Sequence, residues 1–254
     1  MSVVLAEGVA DIGSEFADLD PSTDRYARRF QGPAGEWLLS CQTKALRCLC
    51  APYPGASVLD VGGGHAQVAT PLLDDGHEVC VYASSQEALG QMRGLHRPGL
   101  TTEVGPLRAL PYADRSFDVV TSFRILAHVG DWQAFLGELC RVSRRAVIVD
   151  FPIASGANAL EPLLFGLKKR LEGDTRRFQT MSRPQILKTL AVAGFAPQGE
   201  IGQFVLPMVV HRKLARPALS ARLEAKLRAL RLDRSLGTPV VLCAARDSAG
   251  MRAG

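Results

Sequence analysis

The sequence lacks several features that would place it in well-known functional classes. Its six cysteines include no C-x-x-C pair, and no histidines cluster near Cys48 and Cys50, which argues against a zinc site. No apolar run reaches the ~20 residues that a membrane-spanning helix requires. The chain also has no internal repeat and no low-complexity segment. We therefore expect a protein without a metal centre, a membrane span or a repeat architecture.

The N-terminus lacks the positive charge with which a secretory signal begins. Residues 1–20 contain five acidic residues and neither Lys nor Arg. Cys80, Cys140 and Cys243 lie inside apolar runs, where a thiol acts as a small buried hydrophobic group. These features favour a cytoplasmic protein with reduced thiols, and they predict that residues 1–20 form a loosely ordered leader.

Charge is distributed unevenly along the 254 residues. The net charge is +5, and the excess is concentrated in residues 212–234. A solvated helix face explains such a run, and a patch for nucleic acid, a phosphorylated substrate or a membrane surface is the alternative. The hydrophobic share of 47% and the charged share of 22% are ordinary for a globular protein with one large core or two small ones.

Short apolar runs alternate with amphipathic segments in the middle of the chain. This alternation predicts parallel βαβ units, whose right-handed crossovers bring ligand-facing loops to the carboxyl ends of the strands. The predicted strands are residues 57–61, 78–82, 102–104, 117–122, 146–151, 198–207 and 239–245. The predicted helices are residues 22–50 with a break at 32–35, 66–73, 86–94, 131–142 and 184–192, with a basic helical insert at 208–236.

A glycine-rich turn follows the first predicted strand. Residues 58–61 lead directly into Gly62, Gly63 and Gly64. Glycines let the backbone approach a ligand closely, so a strand, a glycine turn and a helix in succession predict a nucleotide-type cofactor site. Gln67 stands where a G-x-G-x-x-G motif counted from Gly62 has its third glycine, which disfavours NAD.

Several of these segments, in this order, resemble class I S-adenosylmethionine-dependent methyltransferases. Residues 58–64 are similar to the first motif of that family. Leu-Pro-Tyr-Ala-Asp-Arg-Ser-Phe-Asp-Val-Val at 110–120 is similar to its LPF-x-D-x-SFD-x-V signature. His-Val-Gly-Asp at 128–131, together with Glu-Leu-Cys-Arg-Val at 138–142, looks like its fifth-helix pattern.

The resemblance covers residues 55–151 well and residues 184–207 loosely, and it implies a fold. That fold is a single α/β domain with a doubly wound, mainly parallel seven-stranded sheet and helices on both faces. The implied parts are a helical N-terminal cap at 22–50, a cofactor-binding core at 55–151, substrate-lid inserts at 152–183 and 208–236, and the C-terminal part of the sheet at 184–207 and 237–246.

The resemblance also implies S-adenosyl-L-methionine as the cofactor. Asp60 is then expected either to bind its ammonium group, directly or through water, or to cap the turn. His65 is expected to order the turn or to touch the amino-acid end of the cofactor, and the serines at 84 and 85 to form single neutral hydrogen bonds. The expected cofactor-binding residues are Asp60, Gly62, Gly63, Gly64, His65, Ser84, Ser85, Leu107 and Phe123.

Two acidic residues that this family usually carries are missing. In that family, an acid at the end of the second strand holds the ribose hydroxyls. At this position, residues 82–85 of the present chain read Tyr-Ala-Ser-Ser. Where an acid faces the adenine amino group, residues 105–108 read Gly-Pro-Leu-Arg. Losing two charge-assisted contacts of ~1.5–3 kcal/mol each lowers affinity by orders of magnitude. A methyltransferase fold that has lost its cofactor and serves as a binding or scaffold protein is therefore the alternative.

The resemblance places the methyl acceptor beyond the fourth strand, beside Arg124 and His128. Arg124 is expected to bind an anionic substrate group or to pair with Asp131 or another acid. His128 is expected to act as a general base or to pack the loop before the next helix. The apolar candidates for the substrate wall, with plain packing as the alternative, are Phe165, Phe178 and Met208.

Together these features favour methyl transfer to an oxygen, nitrogen or carbon atom of a small molecule. A nucleic-acid methyltransferase is disfavoured, because residues 122–125 read Ser-Phe-Arg-Ile where base-methylating enzymes tend to carry [DN]-P-P-[YF]. The chain also has no Pro-Cys pair, and no aromatic residues interrupt its basic run.

Overall fold

A computed structural model describes residues 16–153 and 179–247, and these residues form a seven-stranded sheet. The strand order is β3-β2-β1-β4-β5-β7-β6. The strands are β1 Ser57–Val61, β2 Glu78–Ala83, β3 Leu100–Val104, β4 Phe117–Ser122, β5 Ser143–Phe151, β6 Phe195–Phe204 and β7 Thr238–Arg246.

Helices and short turns connect the strands. The α-helices in the described ranges are α1 Asp24–Ala27, α2 Gly32–Cys50, α3 Ala69–Asp74, α4 Trp132–Val142, α5 Arg183–Val192, α6 Met208–Leu214, α7 Pro217–Ala229 and α8 Asp233–Leu236. Single 3-10 turns lie at Arg28–Phe30, Gly90–Met92 and Leu126–His128. No helix in the described part of the chain is long and apolar enough to cross a membrane.

The sheet is parallel from β3 to β5, and β7 and β6 complete it with antiparallel pairing. β1 pairs with β2 on one side and with β4 on the other, so the order of the strands reverses at β1. β7 lies antiparallel between β5 and β6. The predicted mainly parallel, seven-stranded sheet is confirmed. In such sheets, ligands bind outside the carboxyl ends of the strands at the point of reversal, which here is the β1–β4 boundary.

Each face of the sheet is buried under a separate layer of helices. On one face, Leu136 and Leu139 of α4 and Ile186 of α5 pack in one cluster with Leu59. On the other face, α2 and α3 pack against Val58 and its neighbours. Successive strand residues point to opposite faces, so Val58 and Leu59 belong to different clusters.

Three predicted boundaries are wrong for reasons of backbone conformation. The helix after the glycine turn begins at Ala69 and not at 66, because Ala66 has a φ of 59° in the left-handed region. The helix predicted at 86–94 is reduced to the turn Gly90–Met92. The break in 22–50 precedes Gly32, and Gly35 lies inside α2. A Cβ at position 35 would stand 2.2 Å from the backbone of Phe30, so glycine there allows close packing and does not end the helix.

Some predictions fall on residues outside the described ranges. These are most of the leader at 1–20, most of the insert at 152–183, the tail after residue 247, and the candidate wall residues Phe165 and Phe178. Met208 is described, and it packs against the cluster formed by Phe30, Leu38 and Phe204. That position matches the packing alternative for Met208.

Candidate functional site

The glycine turn lies at the carboxyl end of β1 and leaves no room for side chains. The Gly62 amide donates a hydrogen bond to the Tyr82 carbonyl at 2.8 Å, and Gly62 has a φ of 78°. A Cβ on Gly63 would stand 1.9 Å from Oδ2 of Asp60, and a Cβ on Gly64 would stand 1.8 Å from the Ala88 carbonyl oxygen. Only glycine fits these positions without moving the surrounding backbone.

Asp60 is enclosed beneath this turn. Its side chain is fully buried, its Oδ1 accepts a hydrogen bond from the Thr121 hydroxyl at 2.9 Å, and its Oδ2 has no hydrogen-bond partner among the described residues. Burial raises the pKa of Asp60 to about 7, although the Thr121 hydrogen bond acts in the opposite direction. Asp60 lies against Gly63. Its contact with a cofactor ammonium group stays a prediction.

His65 is a buried, neutral member of the turn. Its Nδ1 accepts a hydrogen bond from the Gln67 amide at 3.2 Å, which places the ring proton on Nε2. Burial, reinforced by the positive charge of Arg124, lowers the pKa of His65 to about 3. This geometry agrees with the expected role of His65 in ordering the turn.

Residues 16–31, which we call the N-terminal cover, lie directly on the glycine turn. Asp18 is fully buried, and its Oδ2 accepts a hydrogen bond from the backbone amide of Ser84 at 2.8 Å. The Asp18 Cβ lies 3.5 Å from the position that a Cβ on Gly62 would take. The Ser22 hydroxyl lies 2.9 Å from the corresponding position on Gly64. The cover thus packs directly against the turn.

Asp18 brings a carboxylate to the end of β2, where the strand itself has none. Burial raises the pKa of Asp18, and hydrogen bonds from Ser84 lower it. Its Oδ1 forms no hydrogen bond of normal geometry with any described residue. No local sequence signal marks this residue, because its partner lies 66 positions further along the chain.

The other expected cofactor-binding residues lie near the carboxyl ends of the same strands. The Ser85 hydroxyl accepts a hydrogen bond from the Ala88 amide at 3.2 Å, so it closes the short turn after β2. Leu107 and Phe123 are each 1% exposed and belong to the two core clusters. Their contact with a cofactor stays a prediction.

Arg124 fastens the N-terminal cover to the sheet. Its guanidinium donates hydrogen bonds to the side-chain oxygens of Gln42 and Gln67. It also lies 4.1 Å from the centre of the Phe30 ring and 5.8 Å from that of Tyr26, where the ring faces attract a cation. Four contacts from three segments therefore hold this one side chain.

Of the two acid partners expected for Arg124, Asp131 or another acid, the structure has another acid. Asp131 instead caps α4, with its Oδ1 accepting a hydrogen bond from the Ala134 amide at 3.1 Å. The acid that Arg124 does meet is Asp150, at the end of β5, through its backbone amide at 2.5 Å. Arg124 has a φ of 64°, a conformation uncommon for a residue with a side chain.

Asp150 belongs to β5, and His128 lies between β4 and α4. Burial raises the pKa of Asp150 to about 6, and Arg124 opposes this shift. His128 is half-buried in the turn Leu126–His128, and its backbone amide donates to the Ile125 carbonyl at 2.8 Å. Its role as a general base stays a prediction. The described ranges contain no group of three or more residues suited to a metal ion.

Comparison with known proteins gives this arrangement a context. Residues 59–149 match the family model described as a methyltransferase domain. The demethylmenaquinone methyltransferase of Beutenbergia cavernae is 38% identical over 103 residues, which cover 39% of this chain and 42% of that protein. The enzyme of the same name from Renibacterium salmoninarum is 31% identical over 150 residues, which cover 53% and 62%. The matched part of the chain thus spans less than two thirds of either relative.

Solved structures extend the likeness to most of the chain. The magnesium protoporphyrin IX methyltransferase of Synechocystis, crystallised with bound SAH, matches with a TM-score of 0.59 and 17% identity. The match covers 88% of this chain and 94% of that one. This chain has the class I methyltransferase fold. In this methyltransferase fold, the glycine turn, Asp18 and Arg124 all lie near the edge of the sheet where the strand order reverses.

Proposed function

We propose that this chain is an S-adenosylmethionine-dependent methyltransferase of the subgroup with the LPF-x-D-x-SFD signature. Its acceptor is a small molecule of the quinone class, as the names of the demethylmenaquinone methyltransferases suggest. The match of residues 59–149 to a methyltransferase domain supports the reaction, and the likeness to a structure with bound SAH supports the cofactor.

One observation carries this proposal. Five buried polar atoms around the glycine turn and the end of β2 form no hydrogen bond of normal geometry with the described residues: Oδ1 of Asp18, Oγ of Ser22, Oδ2 of Asp60, Nε2 of His65 and Oγ of Ser84. Leaving a buried polar atom unpaired costs ~1–3 kcal/mol. A ligand rich in hydroxyl and amino groups supplies the missing donors, so these residues fit a nucleoside with an amino-acid arm.

The fit assigns a role to each part of the site. The Asp18 carboxylate at the end of β2 holds ribose hydroxyls, in place of the acid that the strand lacks. The backbone of 62–64 approaches the amino-acid arm, and neutral His65 keeps the turn in shape. Leu107 and Phe123 supply apolar surface for the adenine ring.

When bound, S-adenosylmethionine supplies a methyl group that its sulfonium activates for displacement by a nucleophile. The chain orients the reactants and excludes water. Arg124 holds the N-terminal cover closed through Gln42, Gln67 and Phe30. His128 removes a proton from the acceptor, because a neutral imidazole can serve as a general base.

Transfer of a radiolabelled methyl group to demethylmenaquinone tests the proposal. We expect label in the quinone with the wild-type protein, and a turnover lower by a factor of ~100 or more with His128→Ala, the usual loss when a general base is removed. Unchanged turnover in His128→Ala would exclude that base. Absence of transfer to any quinone, with cofactor binding intact, would exclude the acceptor class.

A scaffold protein that has lost its cofactor is the second candidate function. The absence of an acid at Ala83 favours it, and so does the close packing of Asp18 and Ser22 on the turn. The two candidates differ in cofactor binding, which the scaffold does not require.

A further inference from the structure

The segment from α6 to α8 carries an unusual surface. Residues 208–236 contain eight Lys and Arg residues and two acids. One acid is buried and the other balances a single arginine. Glu224 is 4% exposed and bonds to His211, and Asp233 faces Arg228 at 3.5 Å. The outward side of this segment is therefore almost uniformly positive.

Large aliphatic side chains are exposed among these cations. Leu219 is 38% exposed and Leu230 is 70% exposed. Val210 on α6 is 41% exposed. Half of the large hydrophobic residues that are exposed in the described ranges lie on this one segment, the others being Phe16, Val104 and Val192.

One face of α7 combines both features. Leu219, Arg222 and Lys226 of α7 and its C-cap residue Leu230 are spaced three, four and four residues apart, so they follow one side of the helix, and we call them the basic face. All four are exposed. The buried side of the helix is different, because Ser220 and Glu224 face inward there.

Contacts on that buried side fix the orientation of the basic face. The Glu224 carboxylate accepts hydrogen bonds from the amides of Val205 and Leu206 and pairs with His211, each at 3.0 Å. This cluster attaches α7 to β6 and α6. The basic face is consequently a fixed surface of the domain and not a loose basic tail.

We propose that the basic face docks this protein on the surface of an anionic lipid bilayer. The cations attract acidic headgroups, while the leucines between them enter the headgroup and acyl boundary, as in helices that lie in the plane of a membrane. Nucleic acid suits this surface less well, because residues 208–236 contain no Phe, Tyr or Trp on which bases stack. This inference does not depend on the reaction proposed above.

Flotation of the full chain with lipid vesicles tests the proposal. We expect binding to vesicles of phosphatidylglycerol and phosphatidylcholine, weak binding to phosphatidylcholine alone, and a decline with added salt. Arg222→Gln/Lys226→Gln is expected to lower the partition coefficient about 30-fold, because each basic side chain near an anionic surface contributes roughly fivefold. Leu219→Ser/Leu230→Ser is expected to weaken binding without any change of charge.

A matched control separates the basic face from net charge alone. Arg93→Gln/Lys188→Gln removes the same charge from exposed positions on other elements, and it is expected to leave partitioning unchanged. Equal losses in both double variants, equal binding to both vesicle types, or tighter binding to a DNA duplex than to anionic vesicles would each overturn the proposal. Melting temperatures near that of the wild type would show that the variants are folded.

Discussion

Oδ2 of Asp18 accepts a hydrogen bond from the backbone amide of Ser84 at 2.8 Å, which joins the N-terminal cover to the carboxyl end of β2. The strand ends in Tyr82 and Ala83, and neither side chain offers a carboxylate. Asp18 therefore supplies from outside the sheet the charge that β2 does not carry. Its remaining oxygen has no partner of normal geometry in the described ranges.

Replacing Asp18 with alanine is expected to weaken the binding of S-adenosylhomocysteine. The loss of a charge-assisted contact of ~1.5–3 kcal/mol corresponds to a fall in affinity of roughly 10-fold to 100-fold. Asp24→Ala is the control, because Asp24 is an exposed acid on the same cover and accepts a hydrogen bond from the side-chain amide of Gln91 at 2.6 Å. Calorimetric titration measures both. Equal affinities of Asp18→Ala and Asp24→Ala would remove Asp18 from the site.

A single methyl group on the glycine turn is expected to disrupt the site. The Cβ of Gly64→Ala would stand 1.8 Å from the Ala88 carbonyl oxygen, so the backbone of the turn has to move. Gly137→Ala is the control, since no atom lies within 4 Å of its Cβ position and alanine stabilises a helix interior by ~0.5–1 kcal/mol. The melting temperature and the affinity for the cofactor should both fall in Gly64→Ala and not in Gly137→Ala. Normal binding in that variant would show that the turn tolerates side chains.

The buried Asp60 carboxyl is expected to make stability depend on pH. Its pKa is about 7 in the folded protein, above the ordinary value of ~3.9, so the folded state binds the proton more tightly than the unfolded state. Asp60 thus lowers the free energy of unfolding as pH rises from about 4 to about 7, with the full penalty above that range.

Asp60→Asn isolates this effect. The asparagine side chain keeps an acceptor for Thr121 but does not titrate. The free energy of unfolding of the variant, relative to that of the wild type, should therefore rise by ~2–4 kcal/mol between about pH 5 and about pH 8. Asp150 and His65 titrate in both proteins and cancel in the difference. Urea unfolding at several pH values measures it. A difference that does not change with pH would contradict a raised pKa for Asp60.

Glu224 is expected to be essential for the attachment of α7. Glu224→Ala leaves the amides of Val205 and Leu206 and the His211 ring without their acceptor, at a cost of about 3 kcal/mol or more. Glu224→Gln retains one acceptor oxygen and should cost less, and the exposed Lys226→Ala should cost little. Chemical denaturation ranks the three. A small loss in Glu224→Ala would mean that packing alone holds the helix.

The sequence predicted the sheet well because the signals for its strands are local. Apolar runs such as 117–122 mark buried strands directly, and β4 occupies the same residues. β5 starts at Ser143. The sequence predicts a start at 146, because Arg144 and Arg145 interrupt the apolar pattern. Arg144 pairs with Asp118, and Arg145 lies over the Tyr53 ring at 4.9 Å. Neither partner is visible in a short window of sequence.

The site was predictable only where it is continuous in sequence. The glycine turn could be found because three glycines follow a strand. The contacts of Asp18 with Ser84 and of Arg124 with Gln42 join residues 66 and 82 positions apart. Sequence periodicity contains no information on such pairs, so it places Asp18 in a leader and does not identify Asp150 as the acid that Arg124 meets.

Calorimetric titration of the wild-type protein with S-adenosylmethionine tests the central claim most directly. The unpaired atoms of Asp18, Ser22 and Asp60 predict a saturable heat for one site, accompanied by a rise in melting temperature that Gly64→Ala abolishes. Absence of both heat and a melting shift at millimolar cofactor would contradict the claim and leave the scaffold function in its place.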